Sequence, residues 1–281
     1  MDIHSFLLEH LIEEAANYGT EKDIAYLKRV VDDWLNDSGG NSSSYRLDNI
    51  RRFLPDALRI LDMGAGCGTF VHHALHQQLD AFGIEPEPWK LEVVRRKIRH
   101  YGYDRSWTER IIAAKGEALP FADKSFDCVT TYQTLEHVRD VYRCCSEMVR
   151  ITRSGGGIYI RCPDYALSTF EGHYRLPWLP GLRGKTAERY LTLLKRPVTG
   201  LRALQPVNTR MLKKTFNQLA RERDRRLQVV NIDYARTLNM LRLRDSIAGY
   251  LATRPLILAH WLRLLFRADT AVHLFIYVTD S

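Results

Sequence analysis

The sequence predicts an α/β fold with a mostly parallel sheet, because short apolar segments alternate with amphipathic helical segments along much of the chain. The alternation begins with a strand over Leu58–Met63, which runs into a glycine-rich turn and then a helix that ends near Gln78. Two segments near the C-terminus also look like strands. Because parallel strands must be joined by crossover connections, helices are expected on both faces of the sheet.

Four more strands are predicted in the first part of the chain, from short runs of apolar and β-branched residues. They lie at 81–85, 110–114, 126–132 and 158–162. Helices are expected over 88–100 and 138–151. The glycine run Ser154–Gly157 is expected to be the turn before the last of these strands. The two C-terminal segments, 227–232 and 272–279, are expected to pair as an antiparallel hairpin.

The chain is predicted to divide into an N-terminal helical cap, residues 1–45, and a main domain, residues 46–281. Apolar residues recur at helical spacing between residues 3 and 35, and a polar loop follows them. The main domain is expected to carry two insertions, at about 163–205 and at about 234–268. The first is rich in Pro, Gly, Tyr and Trp, and the second is mostly helical.

The composition is that of a basic globular protein. The 281 residues are 45% hydrophobic and 26% charged, which is ordinary for a domain with an apolar core. The net charge of +8 favours an anionic partner, such as a phosphorylated substrate. The five cysteines lack metal-ligand or redox spacing and are expected to be free thiols of a cytoplasmic protein. We expect no signal peptide, and no apolar run reaches the roughly 20 residues of a transmembrane helix.

The glycine-rich turn after the first strand predicts a ligand site. Gly64, Gly66 and Gly68 have the spacing G-x-G-x-G, and glycine lets a backbone approach a ligand closely. The Lys-Ser/Thr ending of a phosphate-binding P-loop is missing, as is the third glycine of a dinucleotide site. Glu85 ends the second strand, about 20 residues later, where a carboxylate can accept hydrogen bonds from both hydroxyls of a ribose. A nucleoside-containing ligand is therefore predicted at the carboxyl ends of these strands.

Three further blocks follow Ile60–Gly68 along the chain, namely Glu117–Phe121, Ser125–Val129 and Leu135–Val138. In order and spacing, the four blocks resemble the motifs of class I S-adenosylmethionine-dependent methyltransferases. The last block is similar to a signature of the small-molecule branch, methyltransferase type 11, which includes ubiquinone and glycan methyltransferases. The resemblance implies a Rossmann-like class I methyltransferase fold with a seven-strand sheet. It also implies S-adenosyl-L-methionine as the cofactor and S-adenosyl-L-homocysteine as the product.

The resemblance also implies which residues bind the cofactor. Asp62 and the backbone of the turn are expected to face its methionine part, Glu85 to hold the ribose and Pro86 to lie beside the adenine. Gln133, after the fourth strand, is expected near the transferred methyl group. The full set is Asp62, Gly64, Ala65, Gly66, Gly68, Glu85, Pro86, Gly116, Glu117 and Gln133.

Lys115 stands where many members of the family have an acid that binds the adenine amino group. An ammonium group cannot accept that hydrogen bond. We therefore expect the adenine amino group to be bound by backbone groups of Gly116 and Glu117, or by the Glu117 carboxylate.

A methyl group on a sulfonium is already activated, so a hydroxyl acceptor needs only alignment and a base that takes its proton. His137 is the first candidate, since imidazole titrates near neutral pH, and a capping or packing role is the alternative. His173 and Tyr174 are the next candidates, in an insertion that would either cover the acceptor or be purely structural. No metal ion is expected, and His72 and His76, one helical turn apart, are expected to form a surface pair.

The net charge and the first insertion together predict the acceptor. Residues Tyr174–Pro180 look like segments of bacterial methyltransferases of surface-glycan and lipid-linked pathways. The predicted reaction is O-methylation of a glycan, a nucleotide-linked sugar or a lipid-linked acceptor, with anionic character. A phenolic or quinone-like small molecule is the alternative, because the insertion also supplies aromatic residues for a lid.

Two other classes of protein are weighed against the enzyme. Nucleic-acid binding would explain the basic charge, but no base-methylation motif follows the fourth strand, and no nucleic-acid partner is expected. A non-catalytic methyltransferase-like protein would explain Lys115. Residues 254–267 combine arginines with apolar residues, as in an interfacial helix of a membrane-peripheral protein or, as we favour, a helix packed on the domain.

Overall fold

The computed structural model describes residues 1–38, 42–233 and 271–280. Its strands are β1 (Arg59–Met63), β2 (Asp80–Ile84), β3 (Ile111–Ile112), β4 (Phe126–Tyr132), β5 (Thr152–Pro163), β6 (Phe170–Glu171), β7 (Leu176–Pro177), β8 (Arg225–Asn231) and β9 (Ala271–Asp280). Its helices are α1 (Ile3–Ala16), α2 (Ile24–Leu35), α3 (Ser42–Phe53), α4 (Thr69–His76), α5 (Pro88–Tyr101), α6 (Val141–Ile151), α7 (Gly184–Leu193), α8 (Thr199–Ala203) and α9 (Thr209–Glu222). A short 3-10 helix, Arg105–Arg110, precedes β3.

Seven strands form one sheet in the order β3-β2-β1-β4-β5-β9-β8, and β6 pairs with β7 in a separate hairpin. Neighbouring strands are parallel from β3 to β5, whereas β9 is antiparallel to both β5 and β8. The predicted seven-strand, mostly parallel sheet with a C-terminal antiparallel pair is therefore confirmed. The strand order reverses between β1 and β4, and the carboxyl ends of these strands open a crevice at that point.

Side chains alternate between the two faces of the sheet and build two apolar layers. Leu61 and Val129 enter the layer covered by α6 and α9, whereas Ile60 and Cys128 enter the layer covered by α3, α4 and α5. A fully buried aliphatic side chain contributes roughly 1.5–3 kcal/mol. The two layers therefore hold in place the strand ends that line the crevice.

β5 begins earlier than the sequence predicts and includes the glycine run expected to be a turn. A Cβ on Gly156 would lie 2.5 Å from the carbonyl oxygen of Asp127, and a Cβ on Gly157 would lie 2.4 Å from the Phe275 ring. The prediction of a turn is wrong because these glycines serve close packing, letting β5 pass β4 and β9 where a side chain would not fit.

The N-terminal helices pack beside the glycine turn rather than standing apart from the sheet. α1 and α2 share an apolar cluster that includes Cys67 of the turn and Val93 of α5. The first insertion has its own cluster, which contains Tyr174, Trp178 and residues of α7, and Tyr18 after α1 joins it. The N-terminal segment thus contacts both the turn and the insertion.

Within the described residues, no helix combines the length and the apolar composition that crossing a bilayer requires. All five cysteines belong to the described part of the chain and are buried free thiols. The second predicted insertion, about 234–268, and the segment 254–267 within it lie outside the described residues, as does the proposed membrane contact of that segment.

Candidate active site

The crevice has two walls that are built differently. We call the glycine turn Gly64–Gly68 together with Glu85 the cofactor wall, because the sequence places the nucleoside ligand there. We call His137 together with the first insertion, residues 163–205, the acceptor wall. Thr134 joins the two, since a Cβ on Gly64 would lie 2.4 Å from its side chain and its carbonyl oxygen accepts from His137 N at 2.8 Å.

The glycine turn is fixed by its neighbours and open at its centre. The backbone N–H groups of Gly64 and Ala65 both donate to the carbonyl oxygen of Ile84, at 3.1 and 2.8 Å. Gly64 and Gly68 have φ angles of +83° and +78°, which residues other than glycine rarely adopt. A Cβ on Gly66, by contrast, would meet no described atom within 4 Å. The middle of the turn therefore faces open space in which a ligand can approach the backbone.

Glu85 is buried directly under this open part of the turn. Its Oε2 accepts a hydrogen bond from Gly66 N at 2.8 Å, and its Oε1 accepts one from Glu87 N at 3.0 Å. Burial raises the pKa of Glu85, although the ammonium group of Lys90 and the two backbone donors oppose the effect. Each oxygen retains acceptor capacity, so the carboxylate can still take hydrogen bonds from two ribose hydroxyls.

Asp62 is buried and forms an ion pair with Arg46 of α3. Arg46 also donates from Nε to Thr130 Oγ1 at 2.8 Å, and its guanidinium lies 3.8 Å from the centre of the Phe70 ring. Burial raises the pKa of Asp62, and the charge of Arg46 opposes that shift. The pair ties α3 to β1 just below the turn, which makes Asp62 a support of the turn.

A second buried charge holds the other side of the turn. Lys97 of α5 is fully buried, pairs with Asp37 after α2, and donates to the carbonyl oxygens of Trp34 and Cys67 at 2.9 and 3.3 Å. Asp37 Oδ2 also lies 3.0 Å from Nδ1 of His72, which is fully buried. The expectation of a surface histidine pair is therefore wrong for His72, which serves to dock the N-terminal segment on the turn.

The region expected to meet the adenine is mostly backbone. Gly116 is buried, and a Cβ there would lie 2.8 Å from Met63 Sδ. Glu117 Oε1 accepts from the backbone N–H groups of Arg139 and Asp140, at 2.8 and 3.2 Å, so this carboxylate braces the segment before α6. Pro86 is exposed at the mouth of the crevice. Of the two means of adenine recognition that the sequence leaves open, this geometry favours backbone groups.

Gln133 follows β4 and has a backbone φ of +54°, a conformation that residues other than glycine seldom adopt. Its N–H donates to the carbonyl oxygen of Arg161 at 2.8 Å, which holds the chain in this conformation. Its side chain is exposed. Such conformations occur preferentially at ligand sites, which fits the expected position beside the transferred group.

The acceptor wall brings together two histidines that are far apart in the sequence. His137 follows β4, His173 lies in the turn between β6 and β7, and their Nε2 atoms are 3.1 Å apart. His173 Nδ1 lies 2.8 Å from Glu171 Oε1, which also accepts from the Tyr165 hydroxyl at 3.2 Å. The ring of Tyr18 stacks on His173 at 5.1 Å between centroids. The result is a connected chain of two imidazoles and one buried carboxylate.

The pKa values of the two imidazoles are shifted in opposite directions. Desolvation by the surrounding residues and the charge of the adjacent His173 lower the pKa of His137, although the residue is exposed at the surface of the crevice. Burial also acts to lower the pKa of His173, but the hydrogen bond and charge of Glu171 outweigh it and the pKa is raised. A proton that enters this hydrogen-bonded set of His137, His173 and Glu171 is therefore held at His173.

Tyr174 takes part in this chain through its backbone. Its N–H donates to Glu171 Oε2 at 2.7 Å, whereas its buried hydroxyl accepts from Leu201 N at 2.7 Å and holds α8. Its ring packs edge-on against Tyr18 at 5.2 Å. Of the three catalytic candidates, the structure joins His137 to His173 and gives the Tyr174 hydroxyl a packing role.

Sequence reasoning missed several residues of the site. Glu136 stands one position before His137, and Glu171 stands two positions before His173. Their closeness in the sequence could have indicated that they belong to the same site. Arg46, Lys97 and Asp37 carry no such signal, because each meets its partner only after the chain has folded.

Part of the chain is similar to known methyltransferases. Residues 61–160 match the family Methyltransf_11, described as a methyltransferase domain. A protein of Mycobacterium sp. (strain JLS) described as an uncharacterized methyltransferase is 34% identical over 119 residues, which are 42% of this chain and 44% of that protein. The ubiquinone biosynthesis O-methyltransferase of Methylocella silvestris is 27% identical over 190 residues, covering 57% of this chain and 72% of that protein.

The chain thus matches less than half the length of the first of these relatives. Among solved structures, phosphoethanolamine N-methyltransferase 2 of Haemonchus contortus, with phosphomonomethylethanolamine and S-adenosylhomocysteine, is similar in fold. The TM-score is 0.52 at 16% identity, over 95% of this chain and 60% of that chain. The turn open at Gly66 and the buried Glu85 carboxylate beneath it both lie within the matched segment, so residues 61–160 carry the methyltransferase domain of this chain.

Proposed function

We propose that the protein is an O-methyltransferase for a hydroxyl group of a small anionic acceptor, namely a glycan, a nucleotide-linked sugar or a lipid-linked sugar. The observation that carries the proposal is the chain of His137, His173 and Glu171 on the acceptor wall, because such a chain can take a proton from a hydroxyl.

S-Adenosylmethionine supplies an electrophilic methyl group on a sulfonium, so the acceptor oxygen needs only to be aligned with it and to lose its proton. Glu85 and the backbone at Gly66 serve to bind and orient the nucleoside. Thr134 contacts both walls, through Gly64 on one side and the N–H of His137 on the other, which suits the place where donor and acceptor meet.

The hydrogen bonds of the chain determine which nitrogen can act as the base. Glu171 is surrounded by donors, the N–H of Tyr174, the hydroxyl of Tyr165 and the ring of His173, so it is an ionised acceptor. His173 therefore carries its proton on Nδ1 and accepts on Nε2, which leaves His137 to donate from Nε2. The free lone pair is then on Nδ1 of His137.

The proton path follows from this tautomer. The acceptor O–H gives its proton to His137 Nδ1 as the new O–CH3 bond forms. His137 then passes the proton on its Nε2 to Nε2 of His173, which becomes an imidazolium paired with Glu171. Glu171 acts as a positioning residue, because it fixes the tautomer and stabilises the charge.

The acceptor class is supported by charge and by the shape of the insertion. A cavity of about 230 Å³ lies in the insertion, and Tyr165, Trp178 and Leu201 are among its apolar lining. Its charged lining is Arg183, Arg202 and Glu188, of which Arg202 and Glu188 pair at 3.0 Å, so Arg183 is the basic residue that remains for an anion. An apolar cavity with a basic residue suits an amphipathic anion, such as a lipid-linked or phosphorylated sugar. The net charge of +8 also favours an anionic acceptor.

A phenolic or quinone-like acceptor is the second candidate. The observation that favours it is the similarity to the ubiquinone biosynthesis O-methyltransferase of Methylocella silvestris, at 27% identity. The aromatic side chains of Tyr165 and Trp178 would also receive an aromatic ring.

Transfer of a labelled methyl group from S-adenosylmethionine separates the two. The full-length protein is offered lipid-linked sugars, nucleotide-linked sugars, phosphorylated glycans and a set of catechols and quinols, and products are identified by mass spectrometry. Methylation of a sugar hydroxyl, with weaker activity after Arg183→Ala, is the expected result. Methylation confined to the phenols would replace our acceptor class with the second candidate.

A further inference from the structure

Glu136 has a buried carboxylate that nothing in the proposed proton path uses. The residue has no exposed surface, and neither carboxylate oxygen has a hydrogen-bond partner among the described residues. A buried polar group without a partner costs roughly 1–3 kcal/mol, and a charged one costs more. A carboxylate left in this way is suited to a cation that arrives from outside the chain.

Two imidazoles lie within reach of that carboxylate. A carboxylate oxygen of Glu136 and one ring nitrogen each of His137 and His173 all lie within 4.8 Å of one another. The two Nε2 atoms are 3.1 Å apart. Two nitrogens bound to one tetrahedral zinc ion lie about 3.4 Å apart, so small side-chain rotations would bring all three atoms around one ion.

His173 is also oriented as a metal ligand would be. Its Nδ1 faces the Glu171 carboxylate at 2.8 Å, which turns Nε2 toward His137. A carboxylate on the second nitrogen is the usual support of a ligating histidine. The stacked ring of Tyr18 restricts rotation of the imidazole further.

From this geometry we infer that Glu136, His137 and His173 form a binding site for a divalent transition-metal ion such as Zn²⁺, which replaces the proton shared by the two imidazoles. One carboxylate and two imidazoles suit Zn²⁺ or Co²⁺ better than Mg²⁺ or Ca²⁺, which prefer oxygen ligands. His137 is exposed and provides a path of entry from solution. The inference goes beyond the proposed function, since methyl transfer itself requires no metal.

Titration with Co²⁺ tests the site through a readout that does not depend on activity. The full-length protein is freed of metal with a chelator, and Co²⁺ binding is followed by visible absorption and by calorimetry. We expect one ion per chain, and displacement by Zn²⁺. Glu136→Gln keeps the shape of the side chain and should weaken binding at least tenfold, while Glu171→Gln should weaken it about 10–100-fold.

His100→Ala is the matched control, because His100 is exposed and lies outside the cluster. It should bind Co²⁺ as the unchanged protein does, and thermal melting should show that Glu136→Gln is folded. Absence of binding, or equal affinity in Glu136→Gln, would overturn the inference.

The effect of Zn²⁺ on the transfer rate then tests the proposed function separately. A bound ion occupies Nε2 of both imidazoles, so the proton path is blocked and the rate should fall. A rate that rises when the ion binds would keep the metal site and remove His137 as the base.

Discussion

The cofactor wall and the acceptor wall differ in what they offer a ligand. The cofactor wall offers backbone and one carboxylate, with Gly64 and Ala65 tied to the neighbouring strand and Glu85 tied to the turn. The acceptor wall offers side chains, with His137 and His173 joined across 36 positions of the sequence. A wall made of backbone can keep one geometry while its side chains change, whereas a wall made of side chains changes its specificity with each substitution.

The largest effect is expected on the acceptor wall, from His137→Gln. Glutamine keeps a polar side chain but cannot take the proton, so kcat should fall by roughly 10²–10⁴-fold. The affinity for S-adenosylmethionine should change little, because the two walls are separate in function. Parallel measurement of kcat and of the cofactor Kd checks this, and equal losses in both would show that the walls are not separable.

Arg46→Leu should produce the next largest effect, on the support of the cofactor wall. It leaves the buried Asp62 without its counter-ion, which costs about 3–5 kcal/mol in the free energy of unfolding. Denaturant unfolding measures the loss. Adding Asp62→Asn should restore part of the stability, and no recovery in the double variant would argue against an unpaired charge as the cause.

Gly64→Ala should weaken cofactor binding at least tenfold. The added Cβ would lie 2.4 Å from Thr134, at a φ of +83°, and a left-handed conformation costs a non-glycine residue roughly 1–2 kcal/mol. Gly102→Ala is the matched control, because Gly102 has a φ of +67° and no described atom within 4 Å of an added Cβ. Calorimetry should show a normal Kd for the control, and equal losses in the two variants would implicate backbone strain alone.

Tyr174→Phe should have the smallest effect. The hydroxyl accepts from the N–H of Leu201, which would lose its partner, at a cost of roughly 1–3 kcal/mol in the free energy of unfolding. Since the hydroxyl has a packing role, kcat in the remaining folded protein should stay near its original value. A large fall in kcat without loss of stability would return Tyr174 to the catalytic residues.

The contrast between the walls also explains how much the sequence could predict. The turn Gly64–Gly68 and Glu85 are local signals, since a strand, a tight turn and a helix are adjacent in the chain. The pairing of His137 with His173 depends on how the insertion folds back over β4, which no local pattern records.

The supports of the cofactor wall were hidden for the same reason. Arg46 and Asp62 are ordinary polar residues in the sequence, and only the fold buries them together. Gly156 and Gly157 read as a turn because glycine is common there, whereas their place in β5 is dictated by Asp127 and Phe275. In β5, tertiary packing overrode the local preference of glycine for a turn.

Calorimetric titration of the full-length protein with S-adenosylmethionine tests most directly that the cofactor wall binds the nucleoside through Glu85. We expect one site per chain, with affinity about 10–100-fold lower in Glu85→Gln, because the buried carboxylate makes the hydrogen bonds to the ribose. Glu109→Gln, an exposed carboxylate away from the crevice, should leave the affinity unchanged. No detectable binding, or equal affinity in the unchanged protein and Glu85→Gln, would contradict that binding mode.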